Sequence, residues 1–243
     1  MGEATLQGLL RLIYPNQCPG CTEVVDSDQS LCPRCWAETH FIQGCRCGQC
    51  GLDLPDFDEV GEVLCDDCIR NPKPWSAGCA AMMYHGSARK MVLGLKHGDR
   101  HDLVVPLSKW MAAALRPILP SRPVFAPIPL HWRRMISRKY NQSALLSRQI
   151  ARIFDAESSI DGLRRIRHTN TLDGVNRQER AEILTGSMIV NAKRKLTLKA
   201  RNIVLVDDVM TSGATFVEAT RALAAADVAS VTVLALARAG KAS

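Results

Sequence analysis

Beyond residue 79 the chain alternates between short continuous apolar runs and segments whose apolar residues recur every three or four positions. Ala80–Tyr84, Gly186–Val190, Ile203–Val206 and Ser230–Ala237 read as strands, and Val124–His131 as a strand running into a proline-stiffened loop. Runs this short, bounded by Gly, Pro or charge, suit buried strands better than helices. Ser87–His97, ending near Gly98, and Asp102–Leu115, stopped by Pro117, carry the helical period. A third helix is expected after Asn141, its apolar face formed by Leu145, Leu146, Ile150, Ile153 and Phe154 and its first turn capped by Asn141. A fourth begins near Ala214, with Phe216, Thr220, Leu223 and Ala224 on one face. Strands alternating with helices predict an α/β fold with a mainly parallel sheet and helices on both faces.

The first 79 residues break this rhythm. Leu6, Leu9, Leu10 and Ile13 mark a short amphipathic helix before Pro15, and aliphatic residues are sparse thereafter. All ten cysteines fall here, eight of them in four Cys-x-x-Cys knuckles: Cys18/Cys21, Cys32/Cys35, Cys47/Cys50 and Cys65/Cys68. A knuckle offers two thiolates to one metal, and two knuckles complete a tetrahedral site. Eight cysteines therefore predict two closed, structural zinc sites, with metal binding supplying folding energy that so few aliphatics could not. Sequential pairing gives two zinc ribbons, whereas a cross-braced arrangement joins the first knuckle to the third; the gaps of ten and fourteen residues suit the short hairpins of ribbons. Cys45 and Cys79 are left over as free or buried thiols, Cys45 being close enough to Cys47 to compete for the second site. Asn71-Pro-Lys-Pro-Trp75 is a stiff hinge, dividing the chain into a metal-binding unit of residues 1–75 and an α/β unit of residues 76–243.

Charge follows a similar division. Residues 1–79 hold five Lys/Arg against twelve Asp/Glu, whereas residues 80–243 hold 26 against twelve, within a net charge of +7. A basic C-terminal part suits a phosphate-rich ligand, nucleic acid, or both. No apolar run reaches the 18 or so residues of a membrane span, and Leu6–Tyr14 lacks the flanks of a signal peptide, so a cytoplasmic protein is expected.

One stretch carries distinctive chemistry. Ile203–Val206 leads into Asp207 and Asp208, then into Val209-Met210-Thr211-Ser212-Gly213-Ala214-Thr215, where the helix begins. Backbone N–H groups of such a loop and the helix N-terminus can cradle a phosphate, while carboxylates at a strand's end accept hydrogen bonds from hydroxyls. The plainer reading is a strand-to-helix turn with two acids near a helix start. A second cluster, Arg133, Arg134, Arg138 and Lys139, follows the expected Val124 strand, placed to meet a diphosphate if it is more than a solvated basic loop.

The segment Val206–Thr215 resembles the phosphoribosyl-pyrophosphate (PRPP) signature of type I phosphoribosyltransferases. Nearly the whole chain is similar to the competence protein F (ComF) family. The similarity rests on the knuckles of Cys18–Cys68, on Pro127–His131 with Arg134, Arg138, Asn141 and Gln142, on Arg165–Thr169 with Arg180, and on Val206–Thr215. Lys139 and Tyr140 depart from the family's usual Gly-Phe, Leu172 from Gln and Ile183 from Asn. The resemblance implies a double zinc ribbon followed by a type I phosphoribosyltransferase fold. It implies that Asp207 and Asp208 meet the ribose hydroxyls, that Val209 to Thr215 bind PRPP with Thr211 to Thr215 holding the 5′-phosphate, and that Arg138 stabilises the diphosphate, with Mg²⁺ accompanying PRPP. It further implies a role in DNA uptake during natural transformation with DNA-uptake proteins as partners, in which the basic face of Arg133, Arg134, Arg138 and Lys139 is expected to contact single-stranded DNA. The alternative is an active Mg²⁺-dependent phosphoribosyltransferase of nucleotide salvage.

Overall fold

Five parallel strands carry the architecture, and their order explains where the acidic pair ends up. The computed structural model describes residues 15–55, 63–131, 140–167, 179 and 183–240. The expected helix around Leu6–Ile13, the cations Arg133, Arg134, Arg138 and Lys139, and Thr169, Leu172 and Arg180 lie outside the described residues.

Strands β1 (Ala77–Met83), β2 (Pro123–Pro127), β3 (Glu157–Ser158), β6 (Asn202–Met210) and β7 (Ser230–Arg238) form one sheet in the order β1-β7-β6-β2-β3. Every pairing in it is parallel. A separate antiparallel pair joins β4 (Leu163–Arg165) to β5 (Met188–Val190). Short helices α1 (Pro33–Glu38) and α2 (Asp66–Arg70) belong to the cysteine-rich part; α3 (Gly86–His97), α4 (Val104–Leu115), α5 (Gln142–Ile153), α6 (Lys195–Leu198) and α7 (Ala214–Ala224) follow.

Strand periodicity sorts the core into two layers. On one face, Val204 and Val206 pack with Met91, Val92 and Leu95 of α3, Leu107, Met111 and Leu115 of α4, and Leu146 and Ile150 of α5. On the other, Ile203 and Leu205 pack with Phe216, Ala219 and Leu223 of α7, with Leu163 and Met188 of the β4–β5 pair, and with Cys47, Cys50, Cys65 and Cys68. The second cysteine cluster is thus part of the sheet's own core. The first forms a cluster of its own with Val25 and Leu31.

The cysteine-rich part also covers the exposed side of β1, which would otherwise present unpaired backbone groups. Ile42 N–H donates to Ala81 O (3.1 Å), Met83 N–H to His40 O (2.8 Å) and Gly78 N–H to Gly48 O (2.8 Å). Gly78 permits the last contact, since a Cβ there would lie 2.2 Å from Gln49 O.

Several element boundaries differ from the pattern-based expectation. β1 starts at Ala77 because Ala77 and Gly78 pair with Thr232 and Val233 of β7. The helix expected from Asp102 opens as a 3-10 turn over His101–Leu103 and becomes α-helical at Val104. β3, two exposed polar residues at the sheet's edge, has no apolar signature to betray it.

Candidate functional site

β6 does not stop at the acids but continues through Asp207 and Asp208 to Met210, paired with β7 as far as Asp207 and again at Val209 and Met210. Strict alternation would send adjacent side chains to opposite faces. Instead the alternation slips: Val206 and Val209 both pack on the α3–α5 side, and Met210 on the other. Neighbouring strands slip at the same level, with Ala81 and Met82 of β1 and Leu236 and Ala237 of β7 all on the α3–α5 side. Register is preserved because all three strands shift together.

Both carboxylates consequently meet the same helical layer. Asp207 Oδ1 accepts from Ser143 Oγ of α5 at 2.8 Å and from the Asp208 N–H at 2.9 Å. Asp208 Oδ1 lies 3.1 Å from Lys96 Nζ at the end of α3. Burial, and then the charge of Asp208, push Asp207 up to about 7, while the Ser143 hydroxyl and Lys96 oppose the shift. Two carboxylates this close resist double ionisation unless a cation joins them.

The loop that follows leads into an uncapped helix start. Gly213 adopts φ +78°, a left-handed conformation, and precedes α7 as its N-cap without any side-chain cap. The first-turn N–H groups of an α-helix have no partner within it, and here no side chain caps them. Ser212 Oγ is buried without a hydrogen-bond partner among the described residues. Thr211 is exposed, and Ala214 and Thr215 are half-buried in the first helical turn. Of the seven expected PRPP-binding residues, Val209 and Met210 belong to the strand. The Met210 side chain is in the core, so its backbone alone could reach a ligand.

Asn141 caps α5, its Oδ1 accepting from Ser143 N–H at 3.0 Å, while its Nδ2 donates to Ile128 O at 3.0 Å. One buried side chain thereby ties the Pro127–His131 loop to the helix that presents Ser143. Gln142 Nε2 reaches Lys96 O at 3.4 Å. Tyr140, where the family has Phe, donates its hydroxyl to Leu95 O at 2.7 Å and packs its ring 4.3 Å from that of His101. Ile183 is exposed. An open cavity of about 660 Å³ lies beside this loop, lined by Pro129, Leu130, Asn141, Arg164, Arg165 and Lys193 among others.

Lys96, Ser143 and Arg238 were not singled out from the sequence. Lys96 looks like any cation in a helix's last turn, and Ser143 like any small polar residue near a helix start. Arg238 left a trace, as the one charge in the run Ser230–Arg238.

The cysteines form two tetrads, Cys18/Cys21/Cys32/Cys35 and Cys47/Cys50/Cys65/Cys68, with the four sulfurs of each lying within 4.8 Å of one another. Consecutive knuckles share a site, as ribbons require. With Zn–S near 2.3 Å, a tetrahedron has S···S edges of about 3.8 Å; Cys21–Cys32 and Cys50–Cys65 stand at 3.6 and 3.7 Å. The donor set and spacing fit zinc. The neighbouring Cys50 thiol and backbone N–H groups, acting against burial, hold Cys47 below the usual thiol range. Cys79 belongs to neither tetrad: burial in β1 pushes it up to about 12. Cys45 is half-buried and also outside the tetrads.

Paired tetrads ahead of a parallel sheet with this strand–acid–loop–helix order define a two-part class of protein. Residues 9–79 match the double zinc ribbon domain and residues 141–242 the phosphoribosyl transferase domain. β1 and β2, which precede the second match, complete the same sheet. Among curated proteins, the chain is 27% identical over 216 residues to competence protein F of Haemophilus influenzae, covering 84% of this chain and 92% of that protein. It is 26% identical over 228 residues to the DNA utilization protein YhgH of Escherichia coli, covering 91% and 89% of the two. The YhgH protein of Salmonella typhimurium is 26% identical over 238 residues, covering 94% and 93%. The resemblance read from the sequence is borne out by these two domain matches and homologues. Among the described residues no helix is long and apolar enough to cross a membrane.

Proposed function

We propose that the chain binds PRPP or a related phosphoribosyl ligand at Asp207–Thr215 and serves DNA uptake through contact with single-stranded DNA. The observation that carries the ligand reading is the uncapped start of α7 behind Gly213, with the unpartnered Ser212 hydroxyl beside it and two carboxylates just upstream. Backbone N–H groups of the loop and the Ser212 and Thr215 hydroxyls would donate to the 5′-phosphate. Asp207 and Asp208 would accept from the ribose hydroxyls. Mg²⁺ arriving with the ligand would be held near these two carboxylates and would neutralise diphosphate charge. Lys96 supplies a cation to Asp208 in the ligand-free chain, and Arg138 is proposed to meet the diphosphate.

The DNA part of the reading draws on the homologues' names and on the excess of Lys and Arg beyond residue 79. Arg133, Arg134, Arg138 and Lys139 are the proposed contacts to the phosphate backbone, in a protein proposed to work in the cytoplasm with DNA-uptake partners. Calorimetric titration with PRPP and Mg²⁺ tests the cradle: saturable binding that is weakened in Asp207→Asn is expected, and no binding by the zinc-loaded protein would refute it. Single-strand binding should fall with salt and survive Asp207→Asn; absence of binding at low salt removes the DNA reading.

Retention of the complete acidic pair, fixed by Ser143 and Lys96, favours a second reading as a phosphoribosyltransferase of nucleotide salvage. It requires Mg²⁺-dependent pyrophosphate release with a nitrogen acceptor, lost in Asp208→Asn. No turnover across bases, amines and ammonia would count decisively against it.

A further inference from the structure

The phosphate loop rests on the second cysteine tetrad through two side chains that no ligand needs to touch. Arg238 closes β7 and is buried; its Nη1 donates to Met210 O at 3.2 Å, to Thr211 O at 2.6 Å and to Ala239 O. Its Nη2 lies 3.7 Å from Cys50 Sγ. Trp75, also buried, donates Nε1–H to Gln49 O at 2.6 Å, inside the Cys47–Cys50 knuckle. The other edge of its indole covers Gly213, where a Cβ would come within 3.3 Å of Cη2, and its ring centre stands 6.1 Å from that of Phe216 in α7.

We propose that Arg238 and Trp75 are positioning residues that couple the second tetrad to the loop, so that metal at Cys47/Cys50/Cys65/Cys68 and a phosphate-bearing ligand at Thr211–Thr215 stabilise each other. This rests on the phosphate-cradle reading and adds to it. The physical reason lies in the guanidinium fork, which is planar and always charged and so fixes several acceptors at once. Arg238 engages the consecutive carbonyls of Met210 and Thr211, acceptors that would repel an anion if they turned toward it. Four thiolates around Zn²⁺ leave a net negative charge, which the other end of the same fork faces through Cys50. Without the metal, the knuckles are no longer held together, and the fork loses the fixed partner that anchors it against the loop. Trp75 acts in parallel, since displacement of the knuckle moves Gln49 O and with it the indole that covers Gly213. Among the described residues no hydrogen bond joins the first tetrad to the loop: its sulfurs pack with Val25 and Leu31, and it serves as an internal control.

Coupling between sites is reciprocal, and its usual range makes about tenfold the expected size. The test uses the full zinc-loaded chain, ribose 5-phosphate as ligand, and release of zinc to a chromogenic chelator. Saturating ribose 5-phosphate should slow release of one zinc equivalent about tenfold and leave the other unchanged. Cys21→Ser, which disables the first site, identifies the protected equivalent as the second. Arg238→Met should still bind two equivalents yet lose the protection, with Arg238→Lys, which keeps the charge but not the fork, restoring part of it. Should Arg238→Met fail to fold, Trp75→Phe keeps the ring, removes the N–H to Gln49, and should likewise diminish protection. Undiminished protection in Arg238→Met, or in Trp75→Phe where that stands in for it, overturns the proposal, as does equal protection of both equivalents. Ligand binding without any protection in the parent chain also overturns it. Calorimetry on the parent separates the two readings: no heat with ribose 5-phosphate defeats the cradle first, whereas heat without protection defeats the coupling alone.

Discussion

Replacing Asp207 with Asn tests whether the acidic pair is held at a cost to stability. In the folded chain Asp207 is raised from 3.8 to about 7, by burial first and by Asp208 second. A carboxyl group whose pKa is raised on folding binds more protons in the folded than in the unfolded state between the two values, so stability falls as pH rises from about 4 to about 7 and then levels. At about 1.4 kcal/mol per pKa unit, the cost is on the order of 4 kcal/mol at pH 8 and less than half of that at pH 5. Asn carries no charge to desolvate, and its Oδ1 keeps the role of acceptor for Ser143 Oγ and for the Asp208 N–H. Asp207→Asn should therefore be the more stable protein, its advantage widening by roughly 2–3 kcal/mol from pH 5 to pH 8. Urea unfolding of both zinc-loaded proteins measures this, with the difference taken within each pH so that titration of the metal thiols cancels. Parallel stability profiles, or a variant less stable than the parent at pH 8, would refute the reasoning. The same variant should bind PRPP about tenfold more weakly, having lost a charged acceptor; stability and function would then pull in opposite directions at one atom.

Other outcomes follow from the geometry. Metal analysis should find two zinc equivalents, and chelation should abolish cooperative unfolding of the cysteine-rich part; one equivalent would contradict the paired tetrads. Gly213→Ala puts a side chain at φ +78° and against Trp75, so a loss of about 1–2 kcal/mol in thermal or chemical unfolding and weakened phosphate binding are expected; an unchanged midpoint would argue against the loop geometry. Asn141→Ala removes the α5 cap and the tie to Ile128, and should cost about 1–2 kcal/mol; a loss below about 0.5 kcal/mol in urea unfolding would show that the cap is replaced.

The sequence alone determined what depends on local spacing. Cys-x-x-Cys knuckles name their chemistry because two thiolates three residues apart can share one metal, and a run such as Ile203–Val206 ending in paired acids names a strand and what it carries. The helix cap at Asn141 and the helix start near Ala214 were legible for the same reason, since each is set by a few consecutive residues. Tertiary structure alone decided which side chains meet across distance. Nothing local indicates that Lys96 would neutralise Asp208, that Ser143 would hold Asp207, or that Arg238 would join Cys50 to the loop 27 residues upstream of itself. The placement of both acids toward one helical layer also came only from the fold. It depends on three neighbouring strands slipping together, and alternation read along a single strand carries no record of its neighbours.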